Sequence, residues 1–276
     1  MNMFKSDMTL FESSVRPLRN ISDELDAALD EPDQFSIHYQ PIIESKSKKV
    51  ELAEAFLRWT SPVLGEVSPG RFISVAEQNG LIRRLTGTVL RKVCQNISDL
   101  GDLIVSVNIS RTDIVDPNFP EKVSLILSAY GVSPQRVILE CTDSITPEMA
   151  AQAKETLRVL RDLGHSVAIY ELESGFTSFG FIEMHGFTLM KVDKVLIDEA
   201  LQNATSRRNL CEVVRDCKDK GVKSLAFGIE TAEQSALVQK MGFDFQQGYF
   251  HSQPLPIDEF VLFAGLGAAH PALMGA

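Results

Sequence analysis

Five short apolar runs in this chain each stop at a polar or ionisable residue. Asn108 follows Leu103–Val107, Glu140 follows Val137–Leu139, and Glu171 follows Val167–Tyr170. Lys191 follows Leu189-Met190, and Glu230 closes the run Ser224–Ile229. Runs this brief are short for a helix and suit strands buried on both faces. The stretches 119–130, 147–163, 203–220 and 231–241 between them read as helices. Strands alternating with helices indicate parallel βα units. The pattern therefore predicts an α/β fold, a TIM-like (β/α)8 barrel with its chemistry at the carboxyl ends of the strands.

The same reading covers the rest of the chain. A first strand occupies Phe35–Tyr39, and Lys46–Lys49 turns into a second strand around Val50–Trp59. Helices are expected over 70–79 and 82–99, and strands over 136–141, 166–170, 188–192, 223–229 and 244–248. Residues 174–186, rich in Gly and aromatics, read as loop or short helix. Near the start, Ile21, Leu25 and Leu29 share helical spacing that Pro32 closes. The expected organisation is an N-terminal extension over 1–21, one barrel domain over 22–262, and a flexible tail over 263–276. At 276 residues the chain has the length of one barrel, commonly about 250 residues.

Charge and composition narrow the function classes. A net charge of −10 argues against binding a nucleic-acid polymer, which depends on basic surface to displace phosphate counterions. It leaves room for a small phosphorylated ligand held by a few local cations. No apolar run approaches the length of a membrane span. The first residues are interrupted by charge before a signal-peptide core forms, so the expected location is cytoplasmic. Cys94, Cys141, Cys211 and Cys217 lack CxxC spacing and read as buried reduced thiols. The five histidines form no HxH or HxxxH cluster.

Glu54, Asn108, Glu140 and Glu171 are oxygen donors on separate expected strands. In a closed barrel they converge on one mouth, where a hard cation such as Mg²⁺ finds oxygen ligands. Taken singly, each reads equally as a surface ion pair or a helix cap. Lys191, beside Asp193, is either a phosphate or water contact or one half of a local ion pair. Arg58-Trp59 is either a phosphate clamp or a rim cation packed on an indole.

Longer motifs add a resemblance. Phe35-Ser-Ile-His-Tyr-Gln-Pro41 with Glu54-Ala-Phe-Leu-Arg-Trp59 is similar to the opening of an EAL domain. Ser68–Ile73, Ala76–Ile82, Val107–Ser110, Leu139–Asp143, Met190–Asp193, Gly228–Thr231 and Gln247–Tyr249 follow in family order. The resemblance covers roughly residues 22–262. It implies a TIM-like barrel with one antiparallel strand and a family that hydrolyses the bacterial messenger cyclic di-GMP.

The departures bear on activity. Family metal ligands correspond to Glu54, Asn108, Glu140 and the first Asp of a DDFGTG motif, which aligns here with Tyr170–Gly175. That Asp is Tyr170, and the second is Glu171. A phenol near pKa 10 is a poor Mg²⁺ ligand at neutral pH. The family motif AEGVET reads Ala226–Thr231, so Phe227 stands at the water-activating glutamate while Glu230 is retained. The family's loop glutamate is shortened to Asp143, and the EAL leucine is Phe56.

By resemblance, no intact catalytic set remains. No cofactor is expected, and Mg²⁺ matters only to residual phosphodiesterase activity, with Glu54, Asn108, Glu140 and Glu171 as ligand candidates. The nucleotide-contact positions are all kept, as Gln40, Arg58, Asn108, Lys191 and Gln247. The resulting expectation is a non-catalytic signalling protein that binds cyclic di-GMP and regulates a protein partner. The alternatives are a ligand-free interaction module and a weak Mg²⁺-dependent phosphodiesterase. The acidic segment 22–34 and the helix 203–220, with Arg207 and Arg208, are candidate surfaces for a partner or a homodimer.

Overall fold

The computed structural model describes residues 21–141, 150–171 and 187–266, with backbone alone at 150–151 and 169–171. Ten strands are formed: β1 (Phe35–Glu44), β2 (Val50–Ser61), β3 (Gly65–Val67), β4 (Ile104–Ile109) and β5 (Val137–Cys141), then β6 (Ser166–Glu171), β7 (Leu189–Val192), β8 (Lys223–Phe227), β9 (Phe245–Gln247) and β10 (Leu255–Pro256). The sheet runs β10-β1-β9-β8-β7-β6-β5-β4-β2-β3, and an added β1–β2 pairing closes it. Eight strands thus make the ring, with β3 and β10 as short outer additions.

The expected antiparallel strand is β1, which runs against both β2 and β9, while the other ring pairings are parallel. Its direction follows from the turn at 45–49, because so few residues join antiparallel strands only. β1 also extends past the expected Tyr39 to Glu44, with Pro41 opposite Ala53. On its other edge it meets β10 at residues 38–39 and β9 at 43–44. Pro41 falls between those pairings, so its missing N–H takes no ladder bond from that edge.

Strand alternation sorts the apolar residues into two cores. The larger lies between the sheet and the helices and includes Tyr39, Trp59, Phe72, Val105, Leu139 and Val192. The smaller fills the barrel interior with Ile42, Leu52, Ile138, Ala168, Leu189 and Leu225, flanked by Ile104, Phe227 and Phe245. Each large aliphatic buried there contributes about 1.5–3 kcal/mol. This interior layer is the floor beneath the candidate site.

The helices lie close to expectation at Pro69–Gln78, Phe119–Ala129, Ala150–Asp162 and Ala232–Met241. The helix expected over 82–99 ends sooner, at Asn96. Residues 21–28 are helical, with Ile21, Leu25 and Leu29 buried. A helix over Lys194–Gln202, not anticipated, starts where the Asp193 carboxylate accepts from the Val195 N–H at 2.8 Å. Asn203 is extended and caps the next helix, Ala204–Asp219, by accepting from the Thr205 and Ser206 N–H groups. The expected strand 223–229 stops at Phe227, because Gly228 turns the chain at φ 76°. The last helix, Ile257–Phe263, and Leu266, which packs on the outer core, run into the segment expected as a tail. The loop expectation for 174–186 and the position Asp143 lie outside the described residues.

Candidate functional site

One position above the interior floor, on the same faces of the strands, the side chains turn polar. Gln40 on β1, Glu54 on β2, Ser106 on β4, Glu140 on β5, Lys191 on β7 and Gln247 on β9 are all buried. The register makes this layer: Gln40 pairs with Glu54, and Glu54 pairs with Ser106. Gly248 allows the end of β9 to lie against the turn after β8. Its φ is 156°, and a Cβ there would come within 2.1 Å of the Ile229 carbonyl oxygen.

Lys191 organises the layer. Its Nζ lies 2.8 Å from Glu54 Oε2 and 2.6 Å from Glu140 Oε1, with the lysine side chain only 1% exposed. Glu54 Oε1 accepts from Asn108 Nδ2 at 2.8 Å, and its Oε2 also accepts from Gln247 Nε2 at 2.7 Å. Glu140 Oε2 accepts from Ser106 Oγ at 2.7 Å. Gln247 Nε2 is also 2.9 Å from Gln40 Oε1, and Gln40 Nε2 donates to the Ser252 carbonyl at 3.0 Å. The Phe227 ring faces the ammonium, its centroid 5.1 Å from Nζ.

Burial acts against charge on all three ionisable groups, and their mutual field decides the outcome. Burial raises the Glu54 pKa, but the Lys191 charge and hydrogen bonds from Lys191, Asn108 and Gln247 bring it below the usual carboxylate value. Glu140 goes the other way: burial and the neighbouring Glu54 charge outweigh Lys191 and Ser106, and its carboxyl is held high. Lys191 is pushed down by burial and more strongly up by the two glutamates. Glu54 is thus held below and Glu140 above the usual carboxylate range on either side of the same ammonium.

A cavity of about 550 Å³ opens above this layer. Glu54, Asn108, Glu140, Lys191 and Phe227 line its polar end, and side chains such as Ile73 and Leu85 line the rest.

The sequence-expected residues divide accordingly. Glu54, Asn108, Glu140, Lys191, Gln40 and Gln247 are brought together. Arg58 is not in this layer; it shares the inward parity of Glu54 but stands half-buried at the rim. Its guanidinium donates to the Leu57 carbonyl at 3.1 Å and lies 5.9 Å from the Phe56 ring centroid. Of the two readings of Arg58, packing on the Trp59 indole is not what the structure has. Alternation sends Trp59 to the opposite face, buried against Phe35 and Phe72. The Lys191 ion pair is real, but its partners are Glu54 and Glu140, while Asp193 caps a helix. Glu230 does not reach the layer either. Beyond the Gly228 turn it is exposed and ion-paired to Lys194 at 2.6 Å.

Tyr170 lies in register with Lys191, on the strand face it shares with Ala168. Glu171 lies in register with Val192, on the alternate face. Ser106 escaped the sequence reading. Its signal was a small polar residue inside Ile104–Ile109, two positions before Asn108 and thus on the same face. Cys211 is exposed, whereas Cys94, Cys141 and Cys217 are buried thiols as expected. Asp26 and Asp30 of the acidic segment pair with Arg84 of the same chain.

The comparison with known families is decisive, matching the EAL domain over residues 22–254. This chain belongs to the EAL domain family. Among relatives of this EAL domain, the uncharacterized protein Mb1392c of Mycobacterium bovis is 32% identical, over 87% of this chain and 81% of its own length. The protein named cyclic di-GMP phosphodiesterase NbdA, of Pseudomonas aeruginosa, is 29% identical over 91% of this chain and 33% of its own. The chain spans about a third of the length of several other curated relatives it matches. Among solved structures, the PaMucR phosphodiesterase in complex with c-di-GMP superposes with a TM-score of 0.78. It is 26% identical, over 87% of this chain and 99% of that one.

The described residues supply part of a site for the divalent ion that active EAL domains use: Glu54, Glu140 and Asn108 line the cavity, and the buried Asn108 Oδ1 has no hydrogen-bond partner. Both oxygens of Glu54 and both of Glu140 already face donor groups, and the Lys191 ammonium sits between them. A Mg²⁺ ion takes oxygen ligands at about 2.0–2.1 Å, so binding between the two glutamates requires the Lys191 ammonium to draw back. Asn108 also turns its amide N–H, not its carbonyl, toward Glu54. Among the described residues, no group of three or more His, Cys, Asp or Glu is placed to hold a metal. Among them too, no helix is long and apolar enough to cross a membrane.

Proposed function

We propose that this EAL domain binds cyclic di-GMP without hydrolysing it and passes the signal to a protein partner. The observation that carries this reading is Phe227, whose ring faces Lys191 where the family places the water-activating glutamate. A phenyl ring accepts no proton, and general-base assistance alone is worth about 10²–10⁴-fold. Tyr170, beside Lys191 in register, stands in place of a metal carboxylate.

What binding requires is better preserved. Gln40, Asn108, Lys191 and Gln247 meet at the polar layer, Asn108 and Lys191 line the cavity, and Arg58 stands half-buried farther along β2. The near-balanced charge of Glu54, Glu140 and Lys191 presents little repulsion to a dianionic ligand, so a metal counter-charge is unnecessary. Arg58 is placed to take a phosphate through its guanidinium. The solved PaMucR complex with c-di-GMP supports the choice of ligand by likeness.

Calorimetry with cyclic di-GMP in Mg²⁺ and again in EDTA tests the reading, with the recovered nucleotide checked for cleavage. Equal binding in both buffers, with the nucleotide intact, is the expected result. Cleavage confined to Mg²⁺ would establish a phosphodiesterase. Absence of binding in both would leave a partner-binding module on the same barrel.

A further inference from the structure

We infer that a groove on the outside of the barrel wall, beside the pairing of β1 with β9, is a docking surface for an acidic segment of a protein partner that carries a large apolar side chain. This surface deepens the partner half of the proposed function and rests on that reading.

The groove is a cavity of about 580 Å³ whose apolar lining includes Ile43, Val50, Phe250 and Phe263. Phe250 and Phe263 are 44% and 45% exposed, and Leu262, next to Phe263 in the chain, is 73% exposed. Large side chains left half in water on one concave surface gain free energy when a partner covers them. The edge of the groove is cationic. Lys48 and Lys49 line it together with His251, and among the described residues no Asp or Glu does. Burial lowers the His251 pKa and the Lys48 charge lowers it further, so that ammonium stands over the same surface. Lys48 is also the one non-glycine among the described residues with left-handed backbone, at φ 62°. Its turn is held by the Lys48 N–H donating to the Glu44 carbonyl at 3.0 Å and the Lys49 N–H donating to Ser47 Oγ at 3.2 Å. Backbone of this kind persists where the surrounding structure imposes it. On a chain of net charge −10 the groove reverses the sign locally, so it favours carboxylates and repels a basic segment.

The groove is continuous with the candidate site. Gln247 donates to Gln40 and Glu54, and the Ser252 carbonyl accepts from Gln40, so residues 248–251 are pinned to the polar layer at both ends. Between those anchors Phe250 and His251 turn outward to the groove. There His251 Nε2 lies 3.2 Å from Oε1 of Gln246, the neighbour of Gln247 on the opposite face of β9. A partner that grips Phe250 and His251 therefore holds a segment that the polar layer also holds.

The test is fluorescence anisotropy with two labelled peptides, acetyl-Glu-Glu-Phe-Leu-Glu-Glu-amide and its counterpart with Lys at every Glu, titrated with the full chain without nucleotide. The acidic peptide should bind about tenfold or more tighter than the basic one. Lys48→Glu with Lys49→Glu should weaken the acidic peptide by about tenfold or more. Phe263→Ala should weaken it by about fivefold or more, with the circular dichroism of the parent retained. If the charge reversal does not fold, Lys48→Gln with Lys49→Gln takes its place in the same comparison. Equal affinity for the two peptides, no binding of the acidic one, or binding indifferent to either variant overturns the inference. Binding that appears only once residues 267–276 are removed also overturns it, by making that segment the occupant. A dimer in sedimentation that Phe263→Ala dissolves overturns it by making a second copy the occupant. Calorimetry with cyclic di-GMP is a separate reading: nucleotide binding without peptide selectivity sinks the docking surface alone, and peptide selectivity without nucleotide binding sinks the ligand alone.

Discussion

The two sides of the barrel mouth are built differently. On the β2–β4–β5 side, an acidic arc is made of two hydrogen-bonded pairs, Asn108 with Glu54 and Ser106 with Glu140, which Lys191 joins. On the β6–β8 side the equivalent positions are the aromatic residues Tyr170 and Phe227, with Lys191 between them on β7. The acidic arc needs a positive charge, and the Phe227 ring offers a π-face to one. Lys191 reconciles them, giving its charge to the arc and its outer face to a ring.

Taking away the link between the two sides should have the largest effect. Lys191→Met leaves two buried carboxyl groups without their counter-charge and should cost about 3–5 kcal/mol in urea unfolding. A loss below 1 kcal/mol would mean that the arc is hydrated and screened in solution. Making the sides alike comes next. Tyr170→Asp with Phe227→Glu adds two carboxylates on the strands flanking β7 and should cost about 3 kcal/mol in EDTA. Mn²⁺ should restore much of it, and a melting temperature indifferent to Mn²⁺ would place Tyr170 away from the Glu54–Glu140 pair.

The rim should respond without the core. Arg58→Ala should weaken cyclic di-GMP binding by about 1.5–3 kcal/mol and leave the melting temperature nearly unchanged. Unchanged affinity in calorimetry would remove Arg58 from the ligand contact.

The smallest effect should come from the opposite end of the barrel, which lacks the compensation found at the mouth. His165, just before β6, is buried with neither ring nitrogen hydrogen-bonded, and burial lowers its pKa. The unfolded chain therefore binds a proton that the folded one resists. Its contribution to stability is complete above the ordinary value near 6.5 and is lost as pH falls through the folded value. His165→Phe should flatten the dependence of Tm on pH between about 7 and 5. An unaltered slope in calorimetric scans would assign that dependence to other groups, such as His251, whose pKa burial also lowers.

Much of the fold was legible in the chain. The runs Val137–Leu139 and Leu189-Met190 are too short to be helices, and the polar residue ending each marks the face and end of a strand. The Lys46–Lys49 turn explains β1, because a tight connection permits only antiparallel pairing. The helix Lys194–Gln202 was missed because Asn203 divides one continuous helical pattern by acting as a cap. Glu230 was misplaced because a single glycine, Gly228, ended β8 earlier than its apolar run did.

Sequence by itself determined which residues stand at the strand ends: the glutamates, amides and lysine, and beside them Tyr170 and Phe227. Alternation and run length carry that information locally, with a period of two along each strand. Only the tertiary structure decided that Lys191 serves Glu54 and Glu140 and not the adjacent Asp193. It likewise decided that Arg58 leaves Trp59 for the rim and that Ser106 joins the site. These are contacts across the barrel, between residues as far apart in sequence as β2 and β9. They depend on register and closure, which set which side chains share a buried layer and must balance one another's charge.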